Sequence, residues 1–448
     1  MSYLPYSTWR IGMIIACLIF LMLLSVLYAV SARSSSDLIA ITILVFLVYY
    51  GFRAILIATG LDSPSPDYLF AVGTYEAAYV RTIFGISLFV SALVAFSQFG
   101  SVLAPRQGTL GFRKDRYSVA SLGRLAGLLT TMSVTIGALL LIKYGSFGGV
   151  VVAAKVGKEF AGLGFIRIPA VLGAITSLAA FQDSRIAGDR RRAAWFFLLA
   201  IVNSAVVFMW GQRSIAVIPV AVLLIASPKV TMFGSKRVPL ARMILAGVSV
   251  VSVALSLRYL RDSFTSNGSQ SSFSEQNVWR QISQAVNGVY FDSSLLAFRD
   301  WPKIHMFRQG EDFIAGLLGP VPRLLWPEKP VPNLGVWFRQ VYEPQALNGW
   351  PVGSVGDWYL NFGFLGIVVG GAFSGILIGV LNSNFRNAGS QGINQVAIFV
   401  YALYIFPQGI TANSPLQAVA WGVPLWLTMK FLPPLRSTQE TLQEGVER

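Results

Sequence analysis

The stretch IGMIIACLIFLMLLSVLYAVSA, from Ile11 to Ala32, contains no charged residue. As a helix rising about 1.5 Å per residue it extends over roughly 33 Å, enough to cross a hydrocarbon core roughly 30 Å thick. It lacks the period-two alternation of a membrane barrel strand, and only a helix or a closed barrel satisfies its own backbone in lipid. It is too long for the apolar part of a signal peptide, and no convincing small-x-small cleavage site accompanies it, so a retained helix is expected. Apolar runs of this kind recur along the chain. Helices are predicted at 11–32, 38–60, 82–104, 121–143, 166–182, 194–211, 213–227, 241–257, 358–381, 395–410 and 416–432. The expected fold class is an all-α, polytopic integral membrane helix bundle with about 11 transmembrane helices, 10–12 being compatible with the pattern.

The composition agrees. Of 448 residues, 54% are hydrophobic and 12% charged, roughly half the charged fraction of a soluble domain. The expected organisation is N-terminal transmembrane helices over 1–257 and a large extracytoplasmic loop with short helices over 258–356. C-terminal transmembrane helices over 357–432 and a cytoplasmic tail over 433–448 follow. Three short loops carry the cations that set topology: Arg106, Arg113, Lys114 and Arg116; Arg185 and Arg190 to Arg192; Lys229, Lys236, Arg237 and Arg242. By the positive-inside rule all three are cytoplasmic, which puts Asp62, Asp67, Glu76 and the 258–356 loop outside. Most of the +15 net charge is thereby topogenic. It sits in short inter-helix loops, not on one domain face, so no nucleic-acid partner is expected. The single cysteine, Cys17, excludes an internal disulfide. His305, the single histidine, has no second His or Cys to make a metal site with it, and no nucleotide-binding signature occurs, so no cofactor is expected.

Three polar groups carry the candidate chemistry. Gly211-Gln212-Arg213-Ser214 joins two apolar runs at the external side; Arg213 there either lines a cavity or snorkels to the headgroups. Arg258 and Arg261 leave the eighth run three residues apart, on one helical face. Two guanidinium forks suit a diphosphate, and they equally suit interfacial anchors. In the third group, prolines at 320, 322, 327 and 330 bracket Arg323, Trp326, Glu328 and Lys329 and hold them with little conformational freedom. Gly353-Ser354-Val355-Gly356-Asp357-Trp358-Tyr359-Leu360-Asn361-Phe362-Gly363 follows. Glu328 and Asp357 are candidate proton acceptors. Glu328 can instead pair with Lys329 or Arg323, and Asp357 can instead cap a helix starting near Trp358.

These motifs resemble those of the Wzy-type O-antigen and exopolysaccharide polymerases. The resemblance rests on the G-x-R-S junction at Gly211 to Ser214, the arginine-rich exit into a large loop, P-R-x-x-W-P-x-K-P at Pro322 to Pro330, and G-D-x-Y-x-N-F-G at Gly356 to Gly363. It implies a GT-C-like, metal-independent glycosyltransferase of the cytoplasmic membrane with its active site facing outward. Its substrate would be an undecaprenyl-diphosphate-linked oligosaccharide, and a Wzz-type chain-length regulator and a Wzx-type flippase would be partners. On this reading Asp357, Glu328 and Arg323 are catalytic. Arg213, Arg258, Arg261, Lys329, Trp326, Tyr359 and Asn361 bind substrate and its diphosphate. An O-antigen ligase type of transferase, or a non-enzymatic transporter or flippase, are the competing readings. No internal repeat of the transporter kind is found in the sequence.

Overall fold

The computed structural model describes residues 6–33, 37–71, 74–104, 119–156, 164–210, 252–253, 255–257, 259, 278–285, 288–318, 321, 326, 334–346 and 349–387. Every regular element among them is helical. Among the described residues, six helices are long and apolar enough to cross a membrane: Trp9–Ser31, Leu38–Thr59, Glu76–Leu103, Ser121–Tyr144, Arg190–Met209 and Gly353–Ser383. They coincide with six of the expected runs, and the protein is a helical membrane protein. The expected runs 213–227, 395–410, 416–432 and most of 241–257 lie outside the described residues.

The first apolar run is α1 (Tyr6–Arg33). The second is a rod of α2 (Asp37–Phe46), a π-helical turn (Leu47–Gly51) and α3 (Phe52–Thr59). Gly60, with φ 73°, ends it in the left-handed conformation that glycine adopts without strain. α4 covers Glu76–Leu103 and starts six residues before the expected run. Next come α5 (Val119–Tyr144), α6 (Phe147–Val156), α7 (Ile168–Ile186) and α8 (Arg190–Met209). Asp189 caps α8 by accepting from the Arg192 amide at 3.0 Å. α7 realises the run expected at 166–182. It is rich in Ala, Ser, Thr and Gly and is buried between its neighbours, so it does not read as a lipid-facing span. Gly173 on α7 leaves room for Asn203 of α8, whose amide donates to Thr130 of α5 at 2.7 Å. Small residues and interhelical hydrogen bonds of this kind hold helices together in lipid.

Among the described residues four short helices come next: α9 (Val278–Ala285), α10 (Val289–Asp300), α11 (Glu311–Leu317) and α12 (Leu334–Tyr342). The last described element is α13 (Gly353–Asn387). It packs along α4, both helices running the same way. Gly371, Gly375 and Gly379 recur every four residues and face the carbonyls of Phe89, Leu93 and Ser97. A Cβ on Gly371 would lie 2.5 Å from the Phe89 oxygen, and one on Gly375 or Gly379 closer still to its own neighbour. Only glycine permits this backbone approach, and the close packing replaces the hydrophobic drive that lipid cannot supply. α10 is wedged against α3, α4 and α13. Its residues Tyr290 to Phe298 are buried on every side, as expected of a short helix enclosed by other helices.

Candidate functional site

The start of α13 is shaped by what it packs against. Gly353 has φ 73°, and a Cβ there would collide with the Tyr50 hydroxyl and approach Tyr290 to 3.2 Å. Because the helix opens at Gly353, Asp357 lies inside its second turn and does not cap a helix at Trp358. One turn on, Asn361 donates to Asp357 Oδ1 at 2.8 Å, to the Asp357 carbonyl at 3.0 Å and to Asp312 Oδ2 at 3.2 Å. Its own Oδ1 accepts from the Gly310 amide at 3.0 Å.

The helix breaks at Gly363 (φ 65°, ψ −149°). A break of this sort deprives the carbonyls one turn earlier of their helical donors. The backbone amides of Arg308 and Gln309 bond the carbonyls of Leu360 and Asn361, each at 3.0 Å. The segment connecting α10 to α11 is thereby fastened to the side of α13. Gln309 (φ 51°) and Gly310 (φ 91°) take left-handed conformations to make the turn. Arg308 donates to Asp312 Oδ2 at 2.7 Å, stands 3.3 Å from Glu311 and lies over the Trp337 ring at 4.0 Å. A continuous polar chain results: Asp357, Asn361, Asp312, Arg308. Asp357, Asn361 and Asp312 are all buried. The arrangement holds two carboxylates in fixed positions behind a loop, which is the preorganisation that proton transfer or hydroxyl orientation requires.

A second buried cluster lies at the same end of the helices. Arg53, in the last turns of the α2–α3 rod, bonds both oxygens of Asp292 at 3.0 and 3.1 Å, pairs with Asp62, and donates to the Ser63 carbonyl at 2.7 Å. Arg280 of α9 reaches Asp62 at 2.9 Å and Asp67 at 2.7 and 2.9 Å. The Asp292 carboxyl is pushed up to about 6 by burial, which the neighbouring Arg53 only partly offsets. At Asp67 burial also opposes ionisation, but hydrogen bonds from Arg280 and Ser63 outweigh it and lower the pKa. Tyr50, one turn before Arg53, brings its hydroxyl beside Ser294 and the start of α13 at Gly353.

Of the residues selected from the sequence, Asp357, Tyr359, Asn361 and Trp326 are described. Tyr359 is buried, stacks on Phe298 at 4.0 Å between centroids and donates to the Trp301 carbonyl at 3.2 Å. Trp326 is partly exposed. Arg213, Arg258, Arg261, Arg323, Glu328 and Lys329 lie outside the described residues. The sequence reading missed Arg53, Asp292, Arg280, Arg308 and Asp312. A signal existed for the first. Arg53 is the one charged residue in the 38–60 run, and an ionisable residue inside a membrane helix needs a partner or a function. Arg308 and Asp312 offered only an i,i+4 spacing. Comparisons with protein-family models, with curated proteins and with solved structures give no match to this chain.

Proposed function

We propose that the chain polymerises undecaprenyl-diphosphate-linked oligosaccharide repeat units, acting as a metal-independent glycosyltransferase in a bacterial cytoplasmic membrane. The observation that carries this reading is the Gly356–Gly363 segment. The residues that resemble the polymerase motif open a membrane helix with Asp357 buried, held by Asn361, and covered by a loop locked onto the helix break. In the proposed reaction an acceptor sugar hydroxyl attacks the anomeric carbon of the growing glycan. The new glycosidic C–O bond forms as the anomeric carbon–phosphate oxygen bond breaks. The hydroxyl proton passes to Asp357 or Glu328, and the lipid diphosphate leaves with the bonding pair. That leaving group needs positive charge more than a proton, which Arg213, Arg258, Arg261, Arg323 and Lys329 supply. Trp326 and Tyr359 complete the binding of sugar and diphosphate on this reading. Asn361 acts in it by holding Asp357, since both ends of its amide are engaged within the protein.

The outward orientation proposed for the site is supported by the positive-inside rule, which makes the basic turn at Arg185 and Arg190–Arg192 cytoplasmic and the 258–356 loop external. The test is the envelope-polysaccharide banding pattern of a deletion strain complemented with wild type or Asp357→Asn. Single-repeat products with the deletion and with Asp357→Asn are expected. Free lipid-linked polymer in the deletion strain would instead assign a ligase, and an unchanged ladder would remove the polymerase reading.

A further inference from the structure

α13 changes character at Phe362. Residues 352–361 are buried without interruption. From there on, apolar side chains emerge at helical spacing: Phe362, Leu365, Val369 and Phe373, with Leu365 72% exposed. In a membrane protein such a stripe faces lipid. About 20 residues of helix span the roughly 30 Å hydrocarbon core. A core beginning at Phe362 therefore ends close to Asn382, which meets the start of α2 through the Leu38 amide at 3.2 Å. Phe84 of α4 supports the same level. It is exposed, lies 6.0 Å from the Phe364 ring, and stands one turn below the exposed Arg81.

The connection between α10 and α11 sits at this level. The Phe307 ring packs beside Gly363, 3.3 Å from where a Cβ would be, and a Cβ on Gly310 would lie 3.1 Å from the Phe362 ring. Three successive amides, of Arg308, Gln309 and Gly310, fasten it to Leu360 and Asn361. Although the backbone is fixed, large apolar side chains project from it. Ile304 is 51%, Met306 80% and Ile314 61% exposed, while Lys303, His305 and Glu311 alternate with them as exposed polar residues. In water three such side chains on one fixed segment are unfavourable. An apolar surface interleaved with polar groups fits the boundary between headgroups and acyl chains.

We infer that residues 302–314 form an interfacial ledge whose occupant is the lipid bilayer, with Ile304, Met306 and Ile314 entering the headgroup–acyl boundary beside Phe362. The argument for lipid over a protein partner is continuity, because the ledge is bonded to α13 at the level where the lipid-facing stripe begins. Lys303 and Arg81 then stand at the depth of lipid phosphates, as cationic side chains at membrane edges do. The ledge does not depend on the reaction proposed above. Its consequence does: the ledge would hold the Asp357–Asn361–Asp312–Arg308 chain at headgroup depth, where the diphosphate of a lipid-linked glycan lies.

The test places an environment-sensitive NBD fluorophore at Met306→Cys in a Cys17→Ala background, with the protein in phosphatidylcholine/phosphatidylglycerol nanodiscs. Gln340→Cys, on the exposed side of α12, is the water control, and Val369→Cys is the deep-lipid control. The Met306 position is 80% exposed, so the change leaves folding intact. Expected is blue-shifted emission, quenched several-fold more by a nitroxide placed high on the acyl chain than by one at its end. The reverse order is expected for Val369. Emission like that of the Gln340 control would overturn the ledge. So would a blue-shifted probe insensitive to both lipids, which would assign the surface to a second copy of the chain or to another protein.

Discussion

Replacing Arg53 by methionine keeps much of the side-chain volume and removes a guanidinium engaged on all sides. Asp292 and Asp62 are each about 2% exposed in their side chains. After the change Asp62 retains Arg280 at 2.9 Å. Asp292 loses both charge-assisted bonds, and the Ser63 carbonyl loses its donor. Removing one partner of a buried ion pair costs about 3–5 kcal/mol, because the remaining charge is stranded in a poor solvent. Arg53→Met is therefore expected to destabilise by about that amount. The pair itself returns little, since desolvation of both ions nearly cancels their attraction. Arg53→Met combined with Asp292→Leu is thus expected to lie within about 1–2 kcal/mol of wild type, well short of the sum of the two single losses. The measurement is unfolding free energy from SDS titration in mixed micelles for wild type, both single variants and the double variant. A single Arg53→Met variant within about 1 kcal/mol of wild type would refute the buried-pair argument, as would a double variant whose loss equals the sum of the singles.

Three further outcomes are expected. The folded-state pKa of Asp292, about 6, lies above the ordinary 3.8, so the folded protein takes up this proton first. Its stabilising contribution is complete below about pH 4 and is lost as pH rises through about 6; the stability of wild type relative to Asp292→Asn should fall over that window, and a rise would contradict it. Gly375→Leu should separate α4 from α13 and cost at least about 1–3 kcal/mol, whereas Gly127→Leu, with nothing within 4 Å of its Cβ position, should be nearly neutral in the same titration. Arg323→Lys should reduce polymer yield roughly 10²–10³-fold at equal membrane abundance, since a point charge cannot fork onto a diphosphate. Arg192→Lys, exposed and paired only with Asp189 at 3.2 Å among the described contacts, should be silent; full-length polymer at normal yield from Arg323→Lys would make the proline-bracketed run a structural turn.

Six of the apolar runs could be placed from the amino-acid order alone, because burial of a long uncharged segment in lipid is decided locally. Each residue of Ile11 to Ala32 is compatible with hydrocarbon whatever its neighbours in the fold. Asp357 stood out as a carboxylate at an expected helix start, and Asn361 only as part of the motif at Gly356 to Gly363 that carries the family resemblance. What they touch was not local. Asn361 holds Gly310 and Asp312, some 50 positions earlier in the chain, because a break at Gly363 frees carbonyls that only a returning backbone satisfies. Arg53 was visible as a charge in an apolar run, but its partners Asp292 and Asp62 come from separate elements, and Asp292 lies 239 residues away. Glycines 371, 375 and 379 read in sequence as ordinary membrane-helix glycines, and the tertiary structure gives them a face by setting the α4 backbone against them. Hydrophobicity is a property of each segment alone and survives in any arrangement. Charge pairing and close backbone approach are properties of two segments at once, so only the packed structure decides them.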